Sequence, residues 1–310
     1  MKIGIIKPNY PNEKRVALLP KHISNFDNEL VVEDGFGEFL NMQNSEYYEK
    51  KCVIDNRENI FKNCDVIFSL KLIQPVDYKY LRDNQMIIGW THPTGSGAKF
   101  MKDQAIPKKL IIVDLDNIYP NIYYKGKKIE IPFLKPNFIW RNSYMAGYSS
   151  TMHALLSHGL VPDSTTRVAI LACGNVSQGA YAAISKFNSD VRLFYRKTLS
   201  EFKNSISDFD IIINGIEVDN DKEHIIYKKE LEQLKPECLL IDAAADAGRA
   251  IEGTRYTTID DPIYYENNIY FYLVNNSPSV YYRKSSDIIS NSLSIHVFKK
   301  DVKRFYDLLA

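Results

Sequence analysis

The stretch Val168-Ala169-Ile170-Leu171-Ala172-Cys173-Gly174-Asn175-Val176-Ser177-Gln178-Gly179-Ala180 carries an apolar run through a glycine turn into a helix-compatible segment. At such a junction small residues let the backbone approach a pyrophosphate, and the helix N-terminus supplies N–H donors and a positive dipole end. The GxGxxG fingerprint is incomplete, because Leu171/Ala172 stand where its first glycine belongs while Gly174 and Gly179 remain. A tight turn that needs glycines for geometry alone is the competing reading. The surrounding strand–helix–strand rhythm favours a nucleotide site, with Gly174, Asn175, Val176, Ser177 and Gly179 as candidate cofactor-binding residues.

The following strand ends Leu193-Phe194-Tyr195-Arg196-Lys197. An NAD site usually places Asp or Glu here to accept hydrogen bonds from the adenosine ribose. No carboxylate is present, and two cations follow at once. Arg196 and Lys197, beside Tyr195, can neutralise a 2′-phosphate instead, for which a guanidinium fork is well shaped. A solvated surface pair is the bland alternative. The missing acid and the added cations point the same way, to NADP(H).

Outward from this unit, strands are expected at Arg167–Ala172, Val191–Tyr195, Asp210–Asn214, Cys238–Ala243 and Ile269–Val274, with helices at Gln178–Phe187, Leu199–Ile206 and Lys228–Leu234. Apolar strands alternating with amphipathic helices predict a parallel, doubly wound sheet. The first third predicts further α/β layering, with strands at Lys2–Ile6, Glu29–Glu33, Asp65–Leu70, Met86–Gly89 and Leu110–Asp114 and helix or turn at Ser45–Cys52 and Val76–Arg82. Between the two, Trp140, Tyr144, Met145, Tyr148, Met152, Leu155 and Leu156 recur at helical spacing and predict one long helix over Phe138–His158 that packs this face on a core. Ser285–Leu309 reads as a terminal helix broken near Lys299.

The 310 residues suffice for two domains, and 39 basic against 38 acidic side chains leave a net charge of +1. A nucleic-acid binder would carry a basic excess. No apolar run approaches a membrane span, the start turns polar too soon for a signal peptide, and the four cysteines form no CxxC or zinc spacing. The expectation is a cytoplasmic protein acting on small molecules, with no nucleic acid, membrane or metal partner.

Several strings in order resemble the alanine dehydrogenase/saccharopine dehydrogenase superfamily, and within it a short opine-forming branch. They are Lys2-Ile3-Gly4-Ile5, then Glu13-Lys14-Arg15-Val16-Ala17-Leu18-Leu19-Pro20, Ser69-Leu70-Lys71, Gly89-Trp90-Thr91-His92, the glycine turn, Asp242 through Gly248, and Val274-Asn275-Asn276-Ser277-Pro278. The resemblance implies a Rossmann-type, doubly wound NADP-binding domain over 138–282, inserted in a discontinuous α/β substrate domain over 1–137 and 283–310. It also implies an active site in the cleft between them and a homo-oligomer, dimer or tetramer.

By the same resemblance, Arg15 holds the carboxylate of a 2-oxo acid, where a fixed guanidinium gives two-point geometry. Lys71 polarises the keto group, with Lys79 as a weaker stand-in. His92 moves protons while the carbinolamine forms and loses water. The other histidines, His22, His153, His158, His224 and His296, lack such a context. Asp246 holds the incoming amine or orients the nicotinamide ribose, with loop capping as the rival role, and Asn276 lies by the nicotinamide. The reaction implied is NADPH-dependent condensation of pyruvate with the side-chain amine of ornithine or lysine. The alternatives are an alanine dehydrogenase or saccharopine dehydrogenase reaction, or a nucleotide-binding sensor without turnover. The chain is short for an alanine dehydrogenase.

Overall fold

The computed structural model describes residues 1–218 and 222–309. The chain forms two compact units, Met1–Ile139 with Tyr282–Ala310, and Trp140–Tyr281.

The first unit holds β1 (Lys2–Ile6), β2 (Glu29–Glu33), β3 (Val53–Asp55), β4 (Val66–Ser69), β5 (Met86–Gly89), β6 (Ile111–Asp114), β7 (Asn121–Tyr124) and β8 (Lys127–Glu130). They form one sheet in the order β3-β2-β1-β4-β5-β6-β7-β8. Pairing is parallel from β3 to β6 and antiparallel in β7 and β8. Alternation explains the unbroken apolar runs. Ile3, Ile5, Val66, Phe68, Met86, Ile88, Ile111 and Val113 pack on one face, while Ile6, Ile67, Ile87 and Ile112 pack on the other. A parallel sheet covered on both faces buries every residue of its central strands.

Three of these strands were not expected. β3 is a three-residue edge strand, and β7 and β8 form a hairpin whose outer strand is largely exposed. The hairpin turns through Lys125 and Gly126, both at positive φ (48° and 75°), as a two-residue hairpin turn requires. The segment near Val76 is a 3-10 turn over Pro75–Tyr80, and an additional helix spans Arg57–Asn63. The C-terminal segment runs as a helix over Tyr282–Leu293, a π turn over Ser294–Phe298 and a short helix over Lys303–Tyr306, so the expected break near Lys299 is present.

The second unit holds β9 (Arg167–Leu171), β10 (Asp190–Phe194), β11 (Ile211–Asn214), β12 (Leu239–Asp242), β13 (Ile263–Glu266) and β14 (Ile269–Tyr272). Their order is β10-β9-β11-β12-β14-β13, parallel except for the edge strand β13, which the sequence reading missed. Here too both faces are covered, with Ile211 and Ile213 on one side and Ile212 on the other.

The long helix spans Trp140–His158, but its buried face differs from the expected one. Trp140 and Leu156 are exposed, and the buried face carries Gly147, Ser150, Thr151 and Ala154 beside Met145 and Leu155. The reason is a close backbone approach to the helix Asn175–Ile184. A Cβ at Gly147 would lie 1.8 Å from the carbonyl oxygen of Val176, and one at Gly179 would lie 1.9 Å from that of Tyr144. Large side chains are excluded from that seam, so aromatic spacing pointed to the wrong stripe. Gly147→Ala is expected to cost about 3 kcal/mol, the upper range for overpacking a tight interior. Denaturant titration of the two proteins checks it, and equal midpoints would contradict so close an approach.

Candidate active site

In the second unit the glycine turn leaves the carboxyl end of β9, where open α/β sheets bind ligands. Ala172 sits at φ +83°, and Gly174 caps the helix Asn175–Ile184 in extended conformation without a side-chain cap. The first intrahelical bond runs from Gln178 N to Gly174 O, so the helical ladder supplies no acceptor for the amides of Asn175, Val176 and Ser177. A Cβ built on Gly174 meets nothing within 4 Å. An open end lined by backbone donors fits a pyrophosphate. Ser177 and Gly179 are buried behind it. The Ser177 hydroxyl donates to Leu171 O at 2.9 Å, and Gly179 makes the helix seam.

At the end of β10, Tyr195, Arg196 and Lys197 are all exposed. Neither cation has a salt-bridge partner among the described residues. The Tyr195 N–H donates to Thr198 Oγ1 at 2.8 Å, which fixes the short 3-10 turn Arg196–Thr198. Asp246 is half-buried in the loop after β12. Asn276 is buried in the turn after β14, its carbonyl accepting from Ser279 N at 2.9 Å.

In the first unit, the carboxyl ends of β1, β4, β5 and β6 are neighbours, and four loops converge there. The loop after β1 carries Tyr10, Glu13 and Arg15. Glu13 and Arg15 are both buried and paired in two-point geometry, Nη2 to Oε2 at 2.6 Å and Nε to Oε1 at 2.7 Å. The guanidinium lies 5.0 Å from the Trp90 ring centroid. Burial by itself would raise the Glu13 carboxyl, but the charge and hydrogen bonds of Arg15, with help from Lys71, hold it below its ordinary value.

Lys71 follows β4, with Nζ 5.2 Å from the Tyr10 ring centroid. Burial lowers its pKa and the charge of Arg15 lowers it further, against the opposing pull of Glu13 and Asp116. Lys79 lies outside this group, exposed and with its ammonium 4.7 Å from the Tyr80 centroid.

His92 follows β5 with a left-handed backbone, φ +44°. The buried carboxylate of Asp114, at the end of β6, holds it there. Oδ1 of Asp114 accepts from Thr91 N and Thr91 Oγ1 at 2.9 Å and from His92 N at 3.2 Å. Burial raises the Asp114 carboxyl, and nearby Asp116 adds to the effect. Asp116 lies 3.2 Å from His92 Nδ1, and both side chains are about one-third exposed (35% each).

The structure thus brings Arg15, Lys71 and His92 to one end of one sheet. Sequence reasoning missed Tyr10, Glu13, Trp90, Asp114 and Asp116. Glu13 stood inside the quoted Glu-x-Arg string, and Asp114 and Asp116 stood at a strand end where a carboxylate could have been sought.

Comparison with known proteins places these geometries in context. The sequence matches the family models "Alanine dehydrogenase/PNT, N-terminal domain" over residues 4–123 and "Alanine dehydrogenase/PNT, C-terminal domain" over 151–305. It is 56% identical over 310 residues to the N(5)-(carboxyethyl)ornithine synthase of Clostridium botulinum (strain Hall), covering 100% of this chain and 98% of that protein. It is 50% identical over 308 residues to the N(5)-(carboxyethyl)ornithine synthase of Lactococcus lactis subsp. lactis (strain IL1403), covering 99% of each. Among solved structures it is similar to an L-alanine dehydrogenase, with a TM-score of 0.78 and 17% identity over 96% of this chain and 89% of that one. This last likeness is one of fold.

The Glu13–Arg15 pair supplies a stability test. Glu13→Ala removes the carboxylate in two-point contact with a buried guanidinium and is expected to cost about 3–5 kcal/mol, read from thermal unfolding at pH 7. Because the folded Glu13 carboxyl is held low, its contribution is present above the unfolded value near ~4.3 and is lost as pH falls through the folded value. The gap between the parent and Glu13→Gln should therefore narrow below about pH 4.

Proposed function

The chain belongs to the alanine dehydrogenase/PNT family, and from that membership we propose its reaction: NADPH-dependent reductive condensation of pyruvate with the side-chain amine of ornithine, or of lysine. The chain is an oxidoreductase acting on a CH–NH bond. The relatives that match over the full length are named for a carboxyethyl group on N5 of ornithine. One structural observation supports that chemistry. Arg15, Lys71 and His92 stand at the carboxyl ends of adjacent parallel strands, each held by a carboxylate or an aromatic ring.

Overall, pyruvate, the amine, NADPH and one proton give the N-(1-carboxyethyl) amino acid, NADP⁺ and water. Arg15, oriented by Glu13 and Trp90, binds the pyruvate carboxylate. The Lys71 ammonium, whose proton is loosened by burial, donates to the carbonyl oxygen as the amine attacks. His92 takes the proton from the attacking nitrogen and returns it to the departing hydroxyl. With Nδ1 turned to Asp116, the imidazole keeps Nε2 for that exchange. The bound nicotinamide, when reduced, supplies the hydride that converts the imine to the secondary amine.

The turn at Gly174, Asn175 and Val176 fits the pyrophosphate, with Ser177 and Gly179 shaping it from behind. Arg196 and Lys197, exposed and unshared, fit a 2′-phosphate, with Tyr195 beside the adenosine. Asp246 and Asn276 belong to the nicotinamide end. A cytoplasmic homo-oligomer, dimer or tetramer, completes the proposal.

Cofactor oxidation by purified protein with pyruvate tests this reading against ornithine, lysine and ammonia. Turnover with a diamino acid supports it, and turnover with ammonia alone overturns it. Arg196→Asp is expected to weaken NADPH at least about tenfold, a 1.4 kcal/mol effect, while NADH changes little. Equal losses for the two cofactors would remove the 2′-phosphate assignment. His92→Ala should cut kcat by about 10²–10⁴-fold with cofactor affinity retained.

A further inference from the structure

Asp242 closes β12 with its side chain wholly buried and no salt-bridge partner among the described residues. Its Oδ1 accepts from Asn214 Nδ2 at 2.9 Å and from the Ala245 N–H at 3.2 Å. Its Oδ2, equally buried, has no hydrogen-bond partner among the described residues. Asn214 ends the neighbouring strand β11 directly opposite Asp242 and is also fully buried. Its carboxamide closes the next turn, accepting from Ile216 N and donating to Ile216 O, both at 3.0 Å. One carboxamide–carboxyl contact therefore joins the turn after β11 to the loop after β12. The first carries Gly215, where a Cβ would lie 2.2 Å from Ser177 Oγ. The second carries Ala245 at φ +57° and then Asp246.

An ionised carboxylate offers about four lone-pair sites and is costly to bury with one oxygen unserved. A neutral carboxyl meets the same surroundings at far lower cost. Asp246, on the same loop, repels the ionised form, and Tyr264, on β13, also feels its charge. We propose that Asp242 is a positioning residue that works in its neutral form: with Asn214 it locks the loop after β12 and so sets where Asp246 sits. Burial pushes the Asp242 carboxyl up to about 7, against the opposing hydrogen bonds of Asn214, Ala245 and Ala244, in keeping with that form. The role of the loop rests on the proposed part of Asp246 in the reaction; the protonation state of Asp242 does not.

The folded pKa is raised above the unfolded value near ~3.9, so the associated stability is complete below that value and is lost as pH rises through about 7. Asp242→Asn keeps an acceptor and a neutral group, whereas Asp242→Ala removes the clamp. Relative to Asp242→Asn, the parent's thermal midpoint should fall between pH 5 and pH 8. At pH 6.5, Asp242→Ala should lose at least about tenfold in kcat and about fivefold in NADPH affinity. Asp242→Asn should return to within about threefold of the parent on both measures.

Parallel pH–stability curves for the parent and Asp242→Asn would overturn the proposal, as would an Asn variant as impaired as the Ala variant. Carboxyl-¹³C NMR of the aspartate-labelled parent needs no variant, and the absence of any aspartate titrating above pH 6 would overturn it as well. Unfolding, NADPH titration and NMR require no turnover. An error in the assigned substrates would therefore leave these readouts intact.

Discussion

A guanidinium cannot shed its proton under any condition a protein survives, so an arginine buried at the heart of a site must bring its own anion. Glu13 is that anion, two residues upstream and in two-point contact. Much of the carboxyl end of the first sheet follows from this pair. It fixes the loop after β1 and sets the guanidinium over Trp90, so the strand that presents His92 is packed against the group that would hold the carboxylate. It also places a compensated cation near Lys71, whose ammonium is destabilised by burial first and by Arg15 second. Removing Glu13 would take from both cations a carboxylate whose charge they share.

The nucleotide unit obeys a steric constraint instead. The helix after the glycine turn and the long helix Trp140–His158 approach until backbone meets backbone at Gly147 and Gly179. That approach fixes the first turn of the helix relative to β9, and Ser177 bonding to Leu171 O fixes it again from below. Small residues at 174–180 therefore have two jobs. Gly174 leaves open space beside the helix start, while Gly179 closes space between helices. The sequence motif names both kinds of residue and does not tell them apart.

This distinction explains what could be read from the chain and what could not. Central strands such as β1, β5, β9 and β11 are legible because both faces are buried and every position must be apolar. Edge strands β3, β8 and β13 carry no such requirement and went unnoticed. The long helix was legible as a helix, but its face was not, since glycine and serine at a close seam leave no hydrophobic signature. Lys71 and His92 stood out at strand ends, and Arg15 within the Glu-x-Arg string, all in family-like strings. Their partners did not, because Asp116 is recognised only once β6 lies beside β5, a neighbour relation that no local spacing encodes. The folded chain buries the Arg15 guanidinium in two-point contact with Glu13, a pairing that the string alone did not reveal.

The two units also share a device that the sequence hides. Each ends a parallel strand with a buried aspartate, Asp114 on β6 and Asp242 on β12, and each aspartate accepts backbone N–H groups from a loop bearing candidate reactive groups. Burial raises both carboxyls. Their donors differ. Asp114 is served on both oxygens, by Thr91 and His92 on one and by Asn117 on the other. Asp242 is served on one only. Donors on both Asp114 oxygens hold His92 in a left-handed bend, beside which Asp116 lies 3.2 Å from the imidazole. A buried carboxyl with one oxygen unserved gains by remaining neutral, and a neutral Asp242 would add no second negative charge beside Asp246 on the same loop.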